Sequence, residues 1–71
     1  MSKQLKLTRF MCPFAEQFIT IPKTHVDNYI KEQARDFTLE ELRIIYHKEK
    51  HQSVKEALQK VMLNFHGTTV Q

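Results

Sequence analysis

The longest helical pattern in the chain lies near its C-terminus, where apolar residues recur with the spacing of one face of an α-helix. These residues are Val54, Ala57, Leu58, Val61, Met62 and Phe65. Ser53, just before them, and Glu56 have the spacing of a capping box, and the only glycine, Gly67, stands where a left-handed C-cap is expected. The pattern predicts a helix over about 54–66 whose apolar face another element must cover.

A second helix, over about 39–50, is predicted from the residues at its start. Thr38 and Glu41 have capping-box spacing, in which each side chain accepts a hydrogen bond from a free backbone N–H of the other residue. Phe37 and Leu42 occupy the two positions of a hydrophobic staple. The apolar residues that follow share one stripe, so this helix should also bury one face.

A third helix, over about 24–35, comes earlier in the chain. Pro22 lies just outside it, Thr24 is the expected N-cap and Asp27 falls in the first turn. Its apolar positions are Val26, Tyr29, Ile30 and Ala34. The sequence therefore predicts a mostly α fold built on a three-helix unit.

The N-terminal segment is predicted to be short and extended, or β. Residues 4–8 alternate between polar and apolar types, with Leu5 and Leu7 expected to face inward and the polar residues outward. Residues 18–21 are aromatic and β-branched, as in a second strand. Pro13 leaves open a short helix instead of a loop between them.

The chain has 71 residues, which favours one domain over 1–71 with an arm over 1–22 and a helical unit over 24–66. Cys12 is the only cysteine, so an internal disulfide is excluded and a reducing, cytoplasmic location is expected. No apolar stretch approaches the roughly 20 residues that span a bilayer, and no membrane association is expected.

Catalysis has no positive support in the sequence, and we expect neither an enzyme nor a cofactor. His47 and His51 have the four-residue spacing of two zinc ligands on a helix, but the paired cysteines usual in structural zinc sites are absent. Solvated histidines are the simpler interpretation, and metal binding is left open. Cys12 is expected to be a small buried apolar residue, because no neighbouring base is apparent.

The distribution of charge, more than its total, suggests contacts to phosphate or to an acidic partner surface. The chain carries a net charge of +3, and the whole excess lies in residues 1–35. Two groups are the expected phosphate- and base-contacting residues: Lys3, Lys6 and Arg9 in the arm, and Lys48, Lys50, Gln52 and Lys55 around the joint between the last two helices. Two capped helices joined in this way resemble a helix-turn-helix unit, although the glycine usual in its turn is absent.

The alternation over residues 4–8 also resembles the strand of ribbon-helix-helix repressors, in which paired strands of a dimer enter the major groove. In that family the strand leads directly into its two helices, whereas 44 residues separate Thr8 from Ser53 here. A homodimeric DNA-binding transcriptional regulator is the leading functional hypothesis.

The apolar residues outside the three helices suggest an alternative function. Those expected at a dimer or partner interface are Phe10, Met11, Phe14, Phe18 and Ile21. They exceed what a three-helix unit readily covers, so they either pack back over the helices or contact another chain. The alternative hypothesis is a modulator or inhibitor that binds a larger bacterial or phage protein through an apolar surface.

Overall fold

A computed structural model of the protein describes residues 6–68 and confirms a mostly helical domain with a two-stranded hairpin in front of three helices. The elements are β1 (Leu7–Met11), β2 (Phe18–Pro22), a 3-10 turn (Lys23–His25), α1 (Val26–Gln33), α2 (Leu39–Lys48) and α3 (Gln52–His66). α1 and α2 are shorter than the predicted 24–35 and 39–50, and α3 begins two residues before the predicted 54–66.

The hairpin pairs its strands antiparallel, with Leu7 opposite Pro22 and Met11 opposite Phe18. Its loop is closed by the Cys12 N–H, which donates to the Gln17 carbonyl oxygen at 2.8 Å. The residues after Cys12 form a turn, so the alternative of a short helix opened by Pro13 is not realised.

The direction of the β1 side chains differs from the expectation. Leu7 was expected to face inward, yet it is 64% exposed, while Phe10 is 2% exposed. Successive side chains of a strand point to opposite faces, so burying Phe10 turns Leu7, Arg9 and Met11 outward. Thr8 and Phe10 face the helices instead.

α3 is the centre of the helical unit, and α1 and α2 both pack against it. Five residues of the predicted α3 face are buried: Val54, Ala57, Leu58, Val61 and Met62. They join Val26, Ile30 and Leu42 of the other two helices in one core, and Phe10 enters this core from the hairpin. Phe65 was predicted on the same face, but it lies in the last turn and is 40% exposed.

Two of the predicted helix ends are confirmed. Thr38 Oγ1 accepts the Glu41 N–H at 3.2 Å and Glu41 Oε1 accepts the Thr38 N–H at 2.8 Å, which completes the capping box of α2. Gly67 ends α3 in the left-handed conformation, with φ of 70°. Both features depend only on neighbouring residues, so the sequence contains the information needed to predict them.

Two predicted caps are wrong. Thr24 lies inside the 3-10 turn, and the N-cap of α1 is His25, whose side chain makes no capping hydrogen bond. α3 begins at Gln52 with His51 as N-cap, so Ser53 lies within the first turn. At α3 the extended backbone lies at His51, and Ser53 is already helical. At α1 the 3-10 turn that contains Thr24 leads directly into the helix, and the backbone of His25 is itself helical.

Candidate interaction surface

The hairpin contacts the joint between α2 and α3, which consists of residues 49–51. Thr8 Oγ1 lies 3.4 Å from His51 Nε2, and the Phe10 and His51 ring centroids are 5.7 Å apart. The Glu49 carboxylate accepts the His51 backbone N–H at 3.1 Å and so braces the joint. The structure therefore brings together the two segments that the sequence had marked for nucleic-acid contact.

Two of the candidate nucleic-acid residues are engaged within the protein. Lys55 Nζ lies 4.7 Å from the centroid of the Tyr46 ring, a cation–π contact that links α3 to α2. Gln52 Nε2 donates to the Glu56 carboxylate at 3.2 Å along α3. A phosphate or base would have to displace these partners.

Lys48 and Lys50 line a groove of about 430 Å³ between the loop end of the hairpin and the end of α2. Glu16 and Glu49 line the same groove, so its formal charge is balanced. A balanced groove has little long-range attraction for phosphate.

The remaining basic candidates belong to the N-terminal segment. Lys6 and Arg9 are exposed, and Lys3 lies outside the described residues. The Arg9 guanidinium carbon lies 4.7 Å from the centroid of the Phe18 ring. Within residues 6–68, Arg9 has no carboxylate at ion-pair distance.

The side of the hairpin that faces away from the helices is here called the outer face. It consists of Leu7, Arg9 and Met11 from β1 and of Phe18, Thr20 and Pro22 from β2. Leu7 is 64%, Phe18 57% and Met11 46% exposed. Met11 and Phe18 are thus opposite each other, and Leu7 lies at the other end of the same face beyond Arg9. No element covers these three apolar side chains in the described part of the chain.

The predicted interface residues are divided between the two sides of the hairpin. Met11 and Phe18 lie on the outer face, whereas Phe10 is buried in the core of this chain. Phe14 and Ile21 are half-buried against that core, and the Phe14 ring packs edge-on against the Phe37 ring at 4.9 Å. Sequence reasoning missed Leu7, because its exposure follows from the burial of Phe10 on the opposite face of the strand, which no local pattern shows.

Cys12 is fully buried, as expected for a small apolar residue. The Tyr29 hydroxyl donates to its sulfur at 3.1 Å. Burial, together with the hydrogen bond to Cys12, raises the pKa of Tyr29 to about 12. This pair ties the hairpin to α1, and its inaccessible sulfur is unsuited to nucleophilic attack.

The histidine pair does not have its helical spacing in the structure. α2 ends at Lys48, so His47 lies on the helix and His51 lies beyond it as the N-cap of α3. Over residues 6–68, no three or more histidine, cysteine, aspartate or glutamate side chains converge on a point where they could hold a metal ion.

Other exposed large apolar residues are on the helices. Ile44, Leu63 and Phe65 are 56%, 53% and 40% exposed. Single exposed residues of this kind are normal for a protein surface, and Leu63 offers a control for the outer face.

In the described range, none of the helices has the length and hydropathy needed to cross a membrane. Comparisons with protein families, with curated proteins and with solved structures gave no match to this chain.

Proposed function

We propose that this protein is a non-catalytic modulator that binds another protein through the outer face of its hairpin. The observation that carries the proposal is the exposure of Leu7, Met11 and Phe18 on one face of a two-stranded sheet, where Met11 is opposite Phe18 and Arg9 lies between Met11 and Leu7. The other face of this sheet already packs on the helices through Phe10. Both faces of the hairpin therefore carry apolar side chains, and within residues 6–68 the helices cover only one of them.

The composition of the outer face fits a protein interface. Phenylalanine, methionine and arginine are enriched at such interfaces, and aromatic and arginine side chains often contribute most of the binding energy. Full burial of a side chain such as Leu7 or Phe18 is worth about 1.5–3 kcal/mol, so covering the exposed half of each contributes about 1 kcal/mol. Arg9 over the Phe18 ring supplies a directional group in the middle of the apolar surface.

The outer face is less suited to reading DNA. A ribbon that enters the major groove presents hydrogen-bonding side chains to the base edges. The outer face offers only Arg9 and Thr20 for this purpose, since its other members are apolar or proline.

DNA binding is the second candidate function, and the contact between Thr8 and His51 favours it. This contact places β1 beside Lys48 at the end of α2 and Lys50 in the joint, while the Arg9 side chain of β1 lies on the outer face. A homodimer would double that set of cations and give the two-fold arrangement common among transcriptional regulators.

Selection from a displayed library of random peptides on the immobilised protein tests the proposal. Selected peptides are then titrated against the wild type, the double variant Leu7→Thr/Phe18→Thr, and Leu63→Gln, which removes an equally exposed leucine from α3. We expect the double variant to weaken binding at least tenfold, which two lost contacts of about 1 kcal/mol each would cause. Leu63→Gln should bind as the wild type does.

Titration with random duplex DNA separates the two functions. Four phosphate contacts would weaken DNA binding about 100-fold as salt rises from about 50 to about 200 mM, whereas an apolar protein contact should barely change. Peptide binding that ignores Leu7 and Phe18, together with salt-sensitive DNA binding, would replace the proposed function with the second candidate.

A further inference from the structure

We infer that the partner adds a β-strand to the edge of β1 that is unpaired within residues 6–68, here called its free edge, and carries an acidic residue opposite Arg9. This inference rests on the proposed function and specifies how the outer face would be used. It depends on where the backbone groups of β1 point, on a difference between the two edges of the hairpin, and on Arg9, which has no carboxylate partner within residues 6–68.

The direction of the β1 backbone groups follows from two hydrogen bonds at its ends. The Lys23 N–H donates to the Lys6 carbonyl at 2.7 Å, and the Cys12 N–H donates to the Gln17 carbonyl at 2.8 Å. Backbone groups of an antiparallel strand point alternately towards its partner and away from it. The backbone N–H and C=O groups of the even-numbered residues of β1 therefore point towards β2.

The odd-numbered residues of β1 consequently direct their N–H and C=O groups to the free edge. These are Leu7, Arg9 and Met11, the residues that also place their side chains on the outer face. An added antiparallel strand would exchange two backbone hydrogen bonds with each of them. Alternate side chains of the added strand would lie beside Leu7 and Met11 on the outer face. Backbone hydrogen bonds and apolar contacts would therefore form together.

The free edge of β2 is less suitable. By the same alternation, the backbone groups of Phe18, Thr20 and Pro22 point to this edge, and proline has no N–H to donate. The chain also leaves β2 directly into the 3-10 turn that begins at Lys23. Proline is a common way to protect an edge strand, whereas β1 contains neither a proline nor a bulge.

Charge distinguishes a different partner from a second copy of this chain. If two copies of this chain paired their β1 strands antiparallel over all five residues, Arg9 of one copy would lie opposite Arg9 of the other. Like charges directly opposite each other destabilise a sheet, and opposite charges stabilise it. Because Arg9 has no carboxylate partner within the described residues, an aspartate or glutamate opposite it is favoured. The expected partner strand therefore carries an acidic residue opposite Arg9 and apolar residues two positions to either side, opposite Leu7 and Met11.

Peptide selection provides a sequence test of this pattern. Peptides selected on the wild type should be enriched in an acidic residue flanked two positions away by apolar residues. Peptides selected on Arg9→Glu should instead carry lysine or arginine at the central position. Lys31→Glu, which makes the same charge change at an exposed position on α1, should leave the acidic preference intact. An acidic preference that survives Arg9→Glu would overturn the inference.

Amide hydrogen exchange provides a structural test. When a selected peptide binds, exchange at Leu7, Arg9 and Met11 should slow by roughly tenfold or more. Exchange at Phe18 and Thr20 should stay unchanged. Slowing at those two β2 amides, or at neither edge, would refute strand addition to β1.

The tests separate failure of the inference from failure of the proposed function. Binding that depends on Leu7 and Phe18 without protection of the β1 amides refutes strand addition and leaves the proposed function standing. Protection that appears without peptide and grows with protein concentration, together with a dimer in sedimentation equilibrium, identifies a second copy as the occupant and overturns the inference of an acidic partner.

Discussion

Replacing neighbouring residues of β1 should separate the stability of the protein from its binding. Phe10 is 2% exposed and Leu7 is 64% exposed, although both belong to the same strand. We expect Phe10→Ala to unfold most of the protein and Leu7→Thr to leave it folded. The comparison tests the strand orientation on which the proposed function depends.

The expected magnitudes follow from these exposures. Removing a buried phenylalanine side chain costs about 3–5 kcal/mol, which matches the whole net stability of about 3–5 kcal/mol typical of so small a core. About a third of Leu7 is buried, and full burial of a leucine is worth about 1.5–3 kcal/mol, so Leu7→Thr should cost less than about 1 kcal/mol. Threonine is β-branched and keeps the strand propensity of the position.

Urea unfolding followed by far-UV circular dichroism measures both effects. With a slope of about 1 kcal/mol per M, Leu7→Thr should lower the unfolding midpoint by less than about 1 M, while Phe10→Ala should lack a folded baseline at 25 °C. A loss for Leu7→Thr as large as that for Phe10→Ala would mean that Leu7 is buried in solution, and the outer face would not be free. If that loss depends on protein concentration, a second copy buries Leu7.

Three further predictions concern the loop, the caps and a buried tyrosine. Glu16 has a φ of 54°, so Glu16→Gly should relieve left-handed strain and raise the free energy of unfolding by about 0.5–1 kcal/mol in urea titration. Thr38→Ala should lower it by about 1 kcal/mol, whereas Ser53→Ala should change it by less than about 0.5 kcal/mol because only Thr38 caps a helix. The pKa of Tyr29 is raised from 10.0 to about 12, so its contribution to stability is complete below pH 10 and is lost as pH rises towards 12. Tyr29→Phe should flatten that part of the pH–stability curve, and an unchanged slope would contradict the burial of the hydroxyl.

The helices were predictable because their signals are local. The α3 face and the Thr38 capping box each need only residues within a few positions of one another. The missed caps at Thr24 and Ser53 show the limit of such signals, because a hydroxyl residue caps a helix only where the backbone is not yet helical. The 3-10 turn before α1 and the short joint before α3 determine the residue at which each helix begins.

The orientation of β1 was not predictable from the sequence, because both faces of this strand are compatible with burial. It is decided by distant residues: the Phe10 ring packs at 6.1 Å from Tyr29 on α1 and at 5.7 Å from His51 at the start of α3. Rotating the strand by one position would bury Leu7 and present the polar Lys6 and Thr8, the kind of surface a DNA-reading ribbon needs. The observed orientation instead leaves an apolar outer face around one arginine. The choice between the two functional hypotheses therefore depends on which face of β1 the helices accept, and the packing of Phe10 favours a protein partner.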